Sequence, residues 1–510
     1  MAKHCFVCVV GGTGARIGDA LIKTLLAGVD DFTADDEMHL LSIDADQGCN
    51  DSNSLKMLCE NYDHIHHVVQ GSGKIANFPL HFYDWQPALD NVSNLSRMAG
   101  NNADCTQLMN ALYTQQQQTV EVTSIQDGGF RANPNVGVCY LRTCLRAVTD
   151  DVTCGYTRFK KALQNAANIG GNDVRLIMVG SLFGGTGAAS FVCISSDLCT
   201  AANNNPNFLC GALMMTPYFA VRKENAEDAD IMKGFYASTQ EALTYYDTHR
   251  AALPFKTFYL FGSPVLRAQN WTATNQRNLP SWIEAEAAQA CLRFFLDAQI
   301  NQQDHSFYKK KRTELTNPQA IDGTQRNCPS AIQLTALDFG RDTQSANALL
   351  KMARFCLNWC YVMEPMILEY GNSSSKGIPN YYTHVIKPIF TDYDQLQDIL
   401  WSSCRNYLQW MSEMCADITV HQDMLDAEKL KILVDSLPLS RIDCKNTLDY
   451  KQAKELYAMK SNQYMDTIKL QAVAFVKANS ILNQLPTLID GKDTAETHFA
   501  KLLEALYEVK

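Results

Sequence analysis

The pentapeptide Gly-Gly-Thr-Gly-Ala occurs twice in this chain of 510 residues, and its surroundings restrict the possible folds more than any other feature. One copy, residues 11–15, directly follows the apolar run 5–10, and the other, residues 184–188, directly follows the apolar run 174–183. A helical pattern follows each copy. Two glycine-rich turns that each lead from an apolar strand into a helix predict an α/β fold with a mainly parallel sheet.

Near-continuous apolar runs recur through the first 265 residues, with helical patterns between them. Strands that are covered by helices on both faces have this composition. Sheets of this kind bind ligands at the carboxyl ends of their strands, and the sequence therefore predicts a Rossmann-like, nucleotide-binding domain. The predicted strands are 5–10, 39–44, 174–183, 208–216 and 257–261, and the predicted helices are 15–26, 136–147, 188–198 and 230–246.

The rest of the chain predicts a central helix, a second, smaller α+β domain and a helical C-terminal region. Residues 280–298 are apolar almost all round, as in a buried central helix. Residues 301–326 form a polar stretch, and within it the cluster 309–312 of three lysines and an arginine predicts a solvated loop. Residues 382–390 predict a strand. The predicted domains are 1–277 for the α/β unit, 278–300 for the connecting helix, 301–440 for the second domain and 441–510 for the C-terminal helices.

Composition narrows the functional classes. The net charge of −10 argues against direct binding of nucleic acid, and no apolar run approaches the roughly 20 residues of a membrane span. The 18 cysteines are scattered and no signal-peptide pattern precedes them, which predicts reduced thiols and a cytoplasmic protein. Cys5 and Cys8 should point to opposite faces of a strand, so a shared metal is not expected. The histidines at 64, 66 and 67 predict a surface segment rather than a metal site.

The two glycine-rich turns carry the clearest chemical signal. Such a turn exposes backbone N–H groups at a helix N-terminus, where partial positive charge collects, and glycine lets a phosphate approach closely. Thr13 and Thr186 could add hydroxyl donors. Neither copy has the lysine of a P-loop, so a phosphate-bearing ligand is predicted without that motif.

Two acids follow the second predicted strand, at the same edge of the sheet. Asp44 and Asp46 could hold Mg²⁺, possibly through water, or a ribose hydroxyl. The alternative is a purely local role as a helix cap or Asx turn.

These segments together resemble the tubulin/FtsZ superfamily. Residues 179–189, Val-Gly-Ser-Leu-Phe-Gly-Gly-Thr-Gly-Ala-Ala, resemble its phosphate loop, with Phe183 in place of the first glycine and Ala189 in place of the last. Residues 11–18 resemble the first nucleotide loop of tubulin. Asp44-Ala45-Asp46, the segment 132–137 (Ala-Asn-Pro-Asn-Val-Gly) and the segment 215–219 (Met-Thr-Pro-Tyr-Phe) resemble later loops of the family, in the same order. The resemblance covers about residues 1–345 and is closest to divergent bacterial tubulin-like proteins.

The resemblance implies GTP or GDP as the ligand, with Mg²⁺. By position in the motifs, Arg16, Asn278 and Glu284 would contact the ribose or base. Ser281 and Glu284 also fit a helix capping box, which is the alternative for that pair. The residues that would bind the phosphates are Gly11, Gly12, Thr13, Gly14, Ala15, Ala132, Asn133, Gly184, Gly185, Thr186, Gly187 and Ala188.

The family hydrolyses GTP at the interface between successive subunits of a filament. The corresponding acids here would be Asp338 and Asp342, although Asp342 also suits a helix N-terminus. The resemblance therefore implies a head-to-tail homopolymer with GTPase activity, and the C-terminal helices could bind a further protein partner. Two alternatives stay open: a nucleotide-binding scaffold that does not hydrolyse, and a Rossmann NAD(P)-dependent enzyme.

Overall fold

The architecture was taken from a computed structural model of the chain. It describes residues 2–28, 32–33, 35–69, 75–89, 103–114, 125, 129–130, 133–221, 226–262, 267–269, 280–298, 300, 305–311, 314–315, 343–364, 367, 382–415 and 494–507.

A single eight-stranded sheet forms the centre of the described structure, in the order β10-β9-β7-β5-β4-β1-β2-β3. Neighbouring strands from β9 to β3 pair in parallel, and only β10 is antiparallel to its neighbour. The short strands β6 and β8 pair separately. The strands are β1 (Lys3–Val10), β2 (Glu37–Ile43), β3 (Leu80–Trp85), β4 (Asp173–Ser181), β5 (Leu209–Met215), β6 (Phe219–Val221), β7 (Thr257–Phe261), β8 (Arg267–Gln269), β9 (His305–Lys311) and β10 (Glu314–Leu315).

Helices cover both faces of the sheet, which confirms the predicted α/β class with a parallel, Rossmann-like core. Short 3-10 or π-helical turns occur at Arg250–Ala252, Trp359–Met363 and Tyr382–Ile386. The α-helices are α1 (Gly11–Leu26), α2 (Asn50–Val69), α3 (Ala103–Leu112), α4 (Pro134–Ala147), α5 (Gly155–Asn168), α6 (Gly185–Ala202), α7 (Ala226–Thr248), α8 (Trp282–Leu296), α9 (Thr343–Asn358), α10 (Lys387–Asp392), α11 (Leu396–Cys415) and α12 (Ala495–Tyr507). Among the described residues, no helix combines the length and the apolar character needed to cross a bilayer.

Two apolar cores lie on opposite faces of the sheet. One contains buried side chains of α1, α2 and α8, and the other contains those of α4, α5 and α6. Cys5 belongs to the first core and Cys8 to the second, as the alternation along a strand predicted. Burial on both sides explains why β1 and β4 read as continuous apolar runs.

The described C-terminal helices share the first of these cores. Helix α9 packs on α1, and α11 and α12 both pack on α2. At the end of α12 the buried hydroxyl of Tyr507 donates a hydrogen bond of 2.5 Å to the carbonyl oxygen of Ala27. The described helices beyond residue 343 therefore complete the core of the N-terminal unit, while the domain boundaries themselves stay a prediction.

Two sequence predictions about local structure were wrong. The predicted strand 382–390 is a π-helical turn followed by α10, because its buried residues Val385, Ile386 and Ile389 recur at helical spacing and pack beside α12. The predicted loop 309–312 is wrong for residues 309–311, which belong to strand β9, and the backbone of β9 pairs with β7. The strand bears Lys309, Lys310 and Lys311, and β10 pairs with it as the outermost strand of the sheet.

Candidate functional site

The two glycine-rich turns lie side by side. Strands β1 and β4 are adjacent and parallel, with Val9 paired to Val179, so both strands deliver their turns to one edge of the sheet. A Cβ atom placed on Gly11 would be 3.5 Å from the Cβ of Thr186 and 3.7 Å from the backbone nitrogen of Gly187. Gly11 also has a φ of +67°, a conformation that favours glycine. The structure therefore brings the residues of the two turns together.

At both turns the helix begins without a side-chain cap from its own N-cap residue. The residues that precede α1 and α6 are Val10 and Gly184, and neither makes a side-chain capping bond. The first turn of each helix also lacks an acidic residue. Since the first N–H groups of a helix have no partner within the helix, two adjacent N-termini of this kind form a favourable environment for an anion.

The other glycines of the turns are required by close packing. A Cβ on Gly14 would be 2.7 Å from the carbonyl oxygen of Val179, and a Cβ on Gly187 would be 2.4 Å from that of Ser181. At Gly14 and Gly187 the two helices therefore lie too close to the sheet backbone for any residue that has a Cβ atom. Thr13 and Thr186 are buried beside these contacts, with 6% and 8% of their surfaces exposed.

Phe183 stands at a position where the motif resemblance predicts glycine, and its side chain has an apolar environment. The ring is buried and lies 4.9 Å from the ring of Phe235, with Tyr218 and Phe219 also in contact. The side chain therefore points into the apolar core and away from the turn.

Asp44 and Asp46 are both buried at the carboxyl end of β2, next to the turn after β1. The Asp44 carboxylate accepts hydrogen bonds from the backbone nitrogen of Asp46 and the hydroxyl of Ser52, both at 3.2 Å. Asp46 accepts a 2.9 Å bond from the backbone of Gly48, which is the predicted Asx turn. Burial raises the pKa of Asp44 to about 6. A buried acid pair of this kind can be stabilised by a cation, and carboxylate oxygens suit Mg²⁺.

The segment before α4 packs directly on the second glycine-rich turn. A Cβ on Gly185 would be 2.6 Å from the Cβ of Phe130 and 3.0 Å from the backbone nitrogen of Asn133. Gly129 has a φ of +60° and lies between Asp46 and Thr186. A Cβ placed on Gly129 would be 3.7 Å from the Cβ of Asp46 and 3.8 Å from Oγ1 of Thr186. The side chain of Asn133 caps α4 by accepting a 3.3 Å bond from Val136. The third predicted loop therefore adjoins the site, although Ala132 is outside the described residues.

A cavity of about 530 Å³ opens beside α1, one turn beyond the glycines. Its volume is within the usual range for small-molecule sites. Arg16 and Glu284, both predicted to contact ribose or base, line this cavity. Sequence reasoning missed Asp51, which accepts a 3.0 Å bond from Nε of Arg16, because that pair depends on how α1 and α2 pack. Other lining residues are Asp19, Lys23, Asn50, Pro280 and Trp410.

Glu284 forms the capping box that was the alternative to base contact. One carboxylate oxygen accepts a 2.9 Å bond from the backbone of Ser281, and the other accepts a 2.7 Å bond from the hydroxyl of Tyr218. Its remaining lone pairs could still accept bonds from a ligand. Asn278, Asp338 and Asp342 lie outside the described residues, so their roles stay predictions.

Together these features define an α/β protein in which two uncapped helix N-termini and a buried acid pair meet at the carboxyl edge of a parallel sheet. Neither a scan against models of known protein families nor a search of curated proteins finds a match to this chain.

Proposed function

We propose that this protein binds GTP at the carboxyl edge of its sheet and assembles head to tail into filaments in the manner of tubulin-like proteins. One observation carries the binding proposal: the N-termini of α1 and α6 adjoin, and neither has a side-chain cap or an acid in its first turn. Two positive helix ends suit a polyphosphate better than a single carboxylate or sulfate.

The neighbouring groups support a nucleotide with its metal. Asp44 and Asp46 would hold Mg²⁺, directly or through water, and the cation would offset phosphate charge. The nucleoside would extend along α1 toward the cavity that Arg16 and Glu284 line. The motif resemblance favours guanine, and it also supplies the expectation of polymerisation, in which one subunit's Asp338 or Asp342 would act on the nucleotide of the next.

The binding proposal is tested with fluorescent GTP on the full chain, with and without Mg²⁺. The variants Thr13→Val and Thr186→Val preserve volume but remove a hydroxyl at each turn, and Thr200→Val at the exposed end of α6 is the matched control. Hydrogen bonds to charged groups contribute about 1.5–3 kcal/mol, so each turn variant should bind GTP about tenfold more weakly or worse, and the control should bind normally. Binding of NAD in preference to GTP would instead support the dinucleotide alternative.

Assembly and hydrolysis need separate measurements. Sedimentation should show a GTP-dependent pellet, and a protein that binds GTP but stays monomeric at high concentration would refute the filament proposal. Phosphate release should fall in Asp338→Ala. An equal rate in the variant and the wild type would exclude Asp338 from hydrolysis and favour the scaffold alternative.

A further inference from the structure

A second cluster of polar side chains lies at the amino end of the sheet, opposite the candidate nucleotide site. Glu37 and His39 are two residues apart on β2, and His81 lies directly across from His39 on β3. His4 on β1 is the cross-strand partner of Glu37. These positions share one face of the sheet, which helix α5 covers: Phe159 contacts Phe6, and the ring of Phe6 stacks on His39.

The donor atoms of three of these side chains converge. One ligand atom each from Glu37, His39 and His81 lies within 4.8 Å of the other two. Oε1 of Glu37 is 3.1 Å from Nε2 of His39, and Oε2 of Glu37 is 3.5 Å from Nε2 of His81. In a tetrahedral site with zinc–ligand bonds of about 2.0–2.1 Å, adjacent ligand atoms are roughly 3.3 Å apart. The two separations are therefore close to the spacing of ligand atoms around one ion, with each imidazole facing a different oxygen of Glu37.

One ring nitrogen of His39 faces Glu37 and the other lies beside Tyr83, while the ring stacks on that of His81 with centroids 4.8 Å apart. Only 6% of the residue is exposed, and its Nδ1 lies 3.0 Å from the hydroxyl of Tyr83. Its Nε2 is buried without a well-directed hydrogen bond, although the carboxylate of Glu37 is close. Metal-binding histidines usually have the second ring nitrogen held by such an outer group, which directs the free lone pair toward the ion.

Glu37 is held in a similar way. Nδ1 of His4 lies 2.6 Å from the same carboxylate oxygen that faces His39. The side chains of His81 and Glu37 are 48% and 31% exposed, which leaves a path from solvent to the cluster.

We propose that Glu37, His39 and His81 bind a divalent transition metal of the zinc class, with His4 and Tyr83 orienting the ligands. Two imidazoles and one carboxylate suit Zn²⁺ better than Mg²⁺ or Ca²⁺, which prefer oxygen alone. Three protein ligands leave a fourth position for water, and the ion would tie together the amino ends of β2 and β3. The site lies at the opposite end of β2 from Asp44 and Asp46.

The test is a Zn²⁺ titration of the full chain against a chromophoric chelator, followed by Co²⁺ spectroscopy. The wild type should bind one Zn²⁺ tightly, and its melting temperature should rise with added Zn²⁺. His81→Ala removes a partly exposed ligand and should weaken binding by at least about tenfold, since even outer-shell changes cost about 10–100-fold. His64→Ala, at an exposed position of α2 outside the cluster, is the matched control and should bind as the wild type does.

Co²⁺ spectra separate this site from the cysteines. The bound ion should show d–d absorption without thiolate charge-transfer bands, and that signal should be lost in His81→Ala and retained in His64→Ala. Equal Zn²⁺ affinity in wild type and His81→Ala, thiolate bands, or no tight binding would each overturn the proposal. In the last case the cluster would be only a hydrogen-bonded network of histidines around Glu37.

Discussion

Replacing Asp44 by asparagine should stabilise the protein when nucleotide and Mg²⁺ are absent. Asp44 is only 5% exposed, and burial raises its pKa from an ordinary value of 3.8 to about 6. At about 1.36 kcal/mol for each pKa unit, ionisation of this buried group costs about 3 kcal/mol at neutral pH. An amide can keep the bond from the Asp46 backbone and can donate to the Ser52 hydroxyl, so the net gain should be about 1–3 kcal/mol.

The stabilisation by Asp44→Asn should increase as pH rises. Because the folded state binds the Asp44 proton more tightly than the unfolded chain does, the wild type loses stability from this group as pH rises from about 4 to about 6. The Asp44→Asn variant lacks this titration. The difference in stability between variant and wild type should therefore be largest above about pH 7 and should diminish toward pH 4.

Equilibrium unfolding in urea, in EDTA and at several pH values, measures this difference. Asp63→Asn, at an exposed position of α2, is the control and should show little change. With GTP and Mg²⁺ present the order should reverse, because the ligand would stabilise the wild type more than the variant. A variant that is no more stable than the wild type at pH 7.5 in EDTA, or equally stabilised at every pH, would refute the reasoning.

Two further predictions concern the packing of α1 against the sheet and of α12 against Ala27. Gly14→Ala should destabilise the protein by about 1–3 kcal/mol in thermal unfolding, because the new Cβ would be 2.7 Å from the carbonyl oxygen of Val179. Gly170→Ala is the control and should have little effect, since a Cβ there would have no atom within 4 Å. Tyr507→Phe removes the buried hydrogen bond to Ala27 and should lower the free energy of unfolding in urea by about 1–2 kcal/mol. Tyr245→Phe, at an exposed position, is the control. An unchanged unfolding midpoint for Tyr507→Phe would show that α12 does not depend on this bond.

The sheet and the turns could be predicted because their signals are local. An apolar run that is buried on both faces and followed by glycine requires only neighbouring residues to be recognised. The prediction of a strand at 382–390 was wrong because short apolar segments fit a strand or a buried helix equally well. The packing of α10 near α12 decides between the two.

The missed contacts depend on residues that are distant in the chain. The pair of Arg16 and Asp51 requires two helices to pack at a particular rotation, and no spacing in the sequence specifies that rotation. The cluster of Glu37, His39 and His81 did leave a signal, since polar residues at every second position of an otherwise apolar strand mark one face. Only the register of β2 against β3 shows that His39 and His81 lie directly opposite each other.

Helix α1 connects the two halves of the proposed nucleotide site. Gly11 at its start adjoins Thr186, and Arg16 lies five residues later on the wall of the cavity, roughly 7–8 Å along the helix axis. A ligand with its phosphates on Gly11 would therefore have its nucleoside directed along a rigid element. Glu284 lines the cavity together with Arg16 and Asp51, but both of its carboxylate oxygens already accept bonds from Ser281 and Tyr218. We therefore expect selection of the base to depend on Arg16 and Asp51 more than on Glu284, which the capping box holds in place.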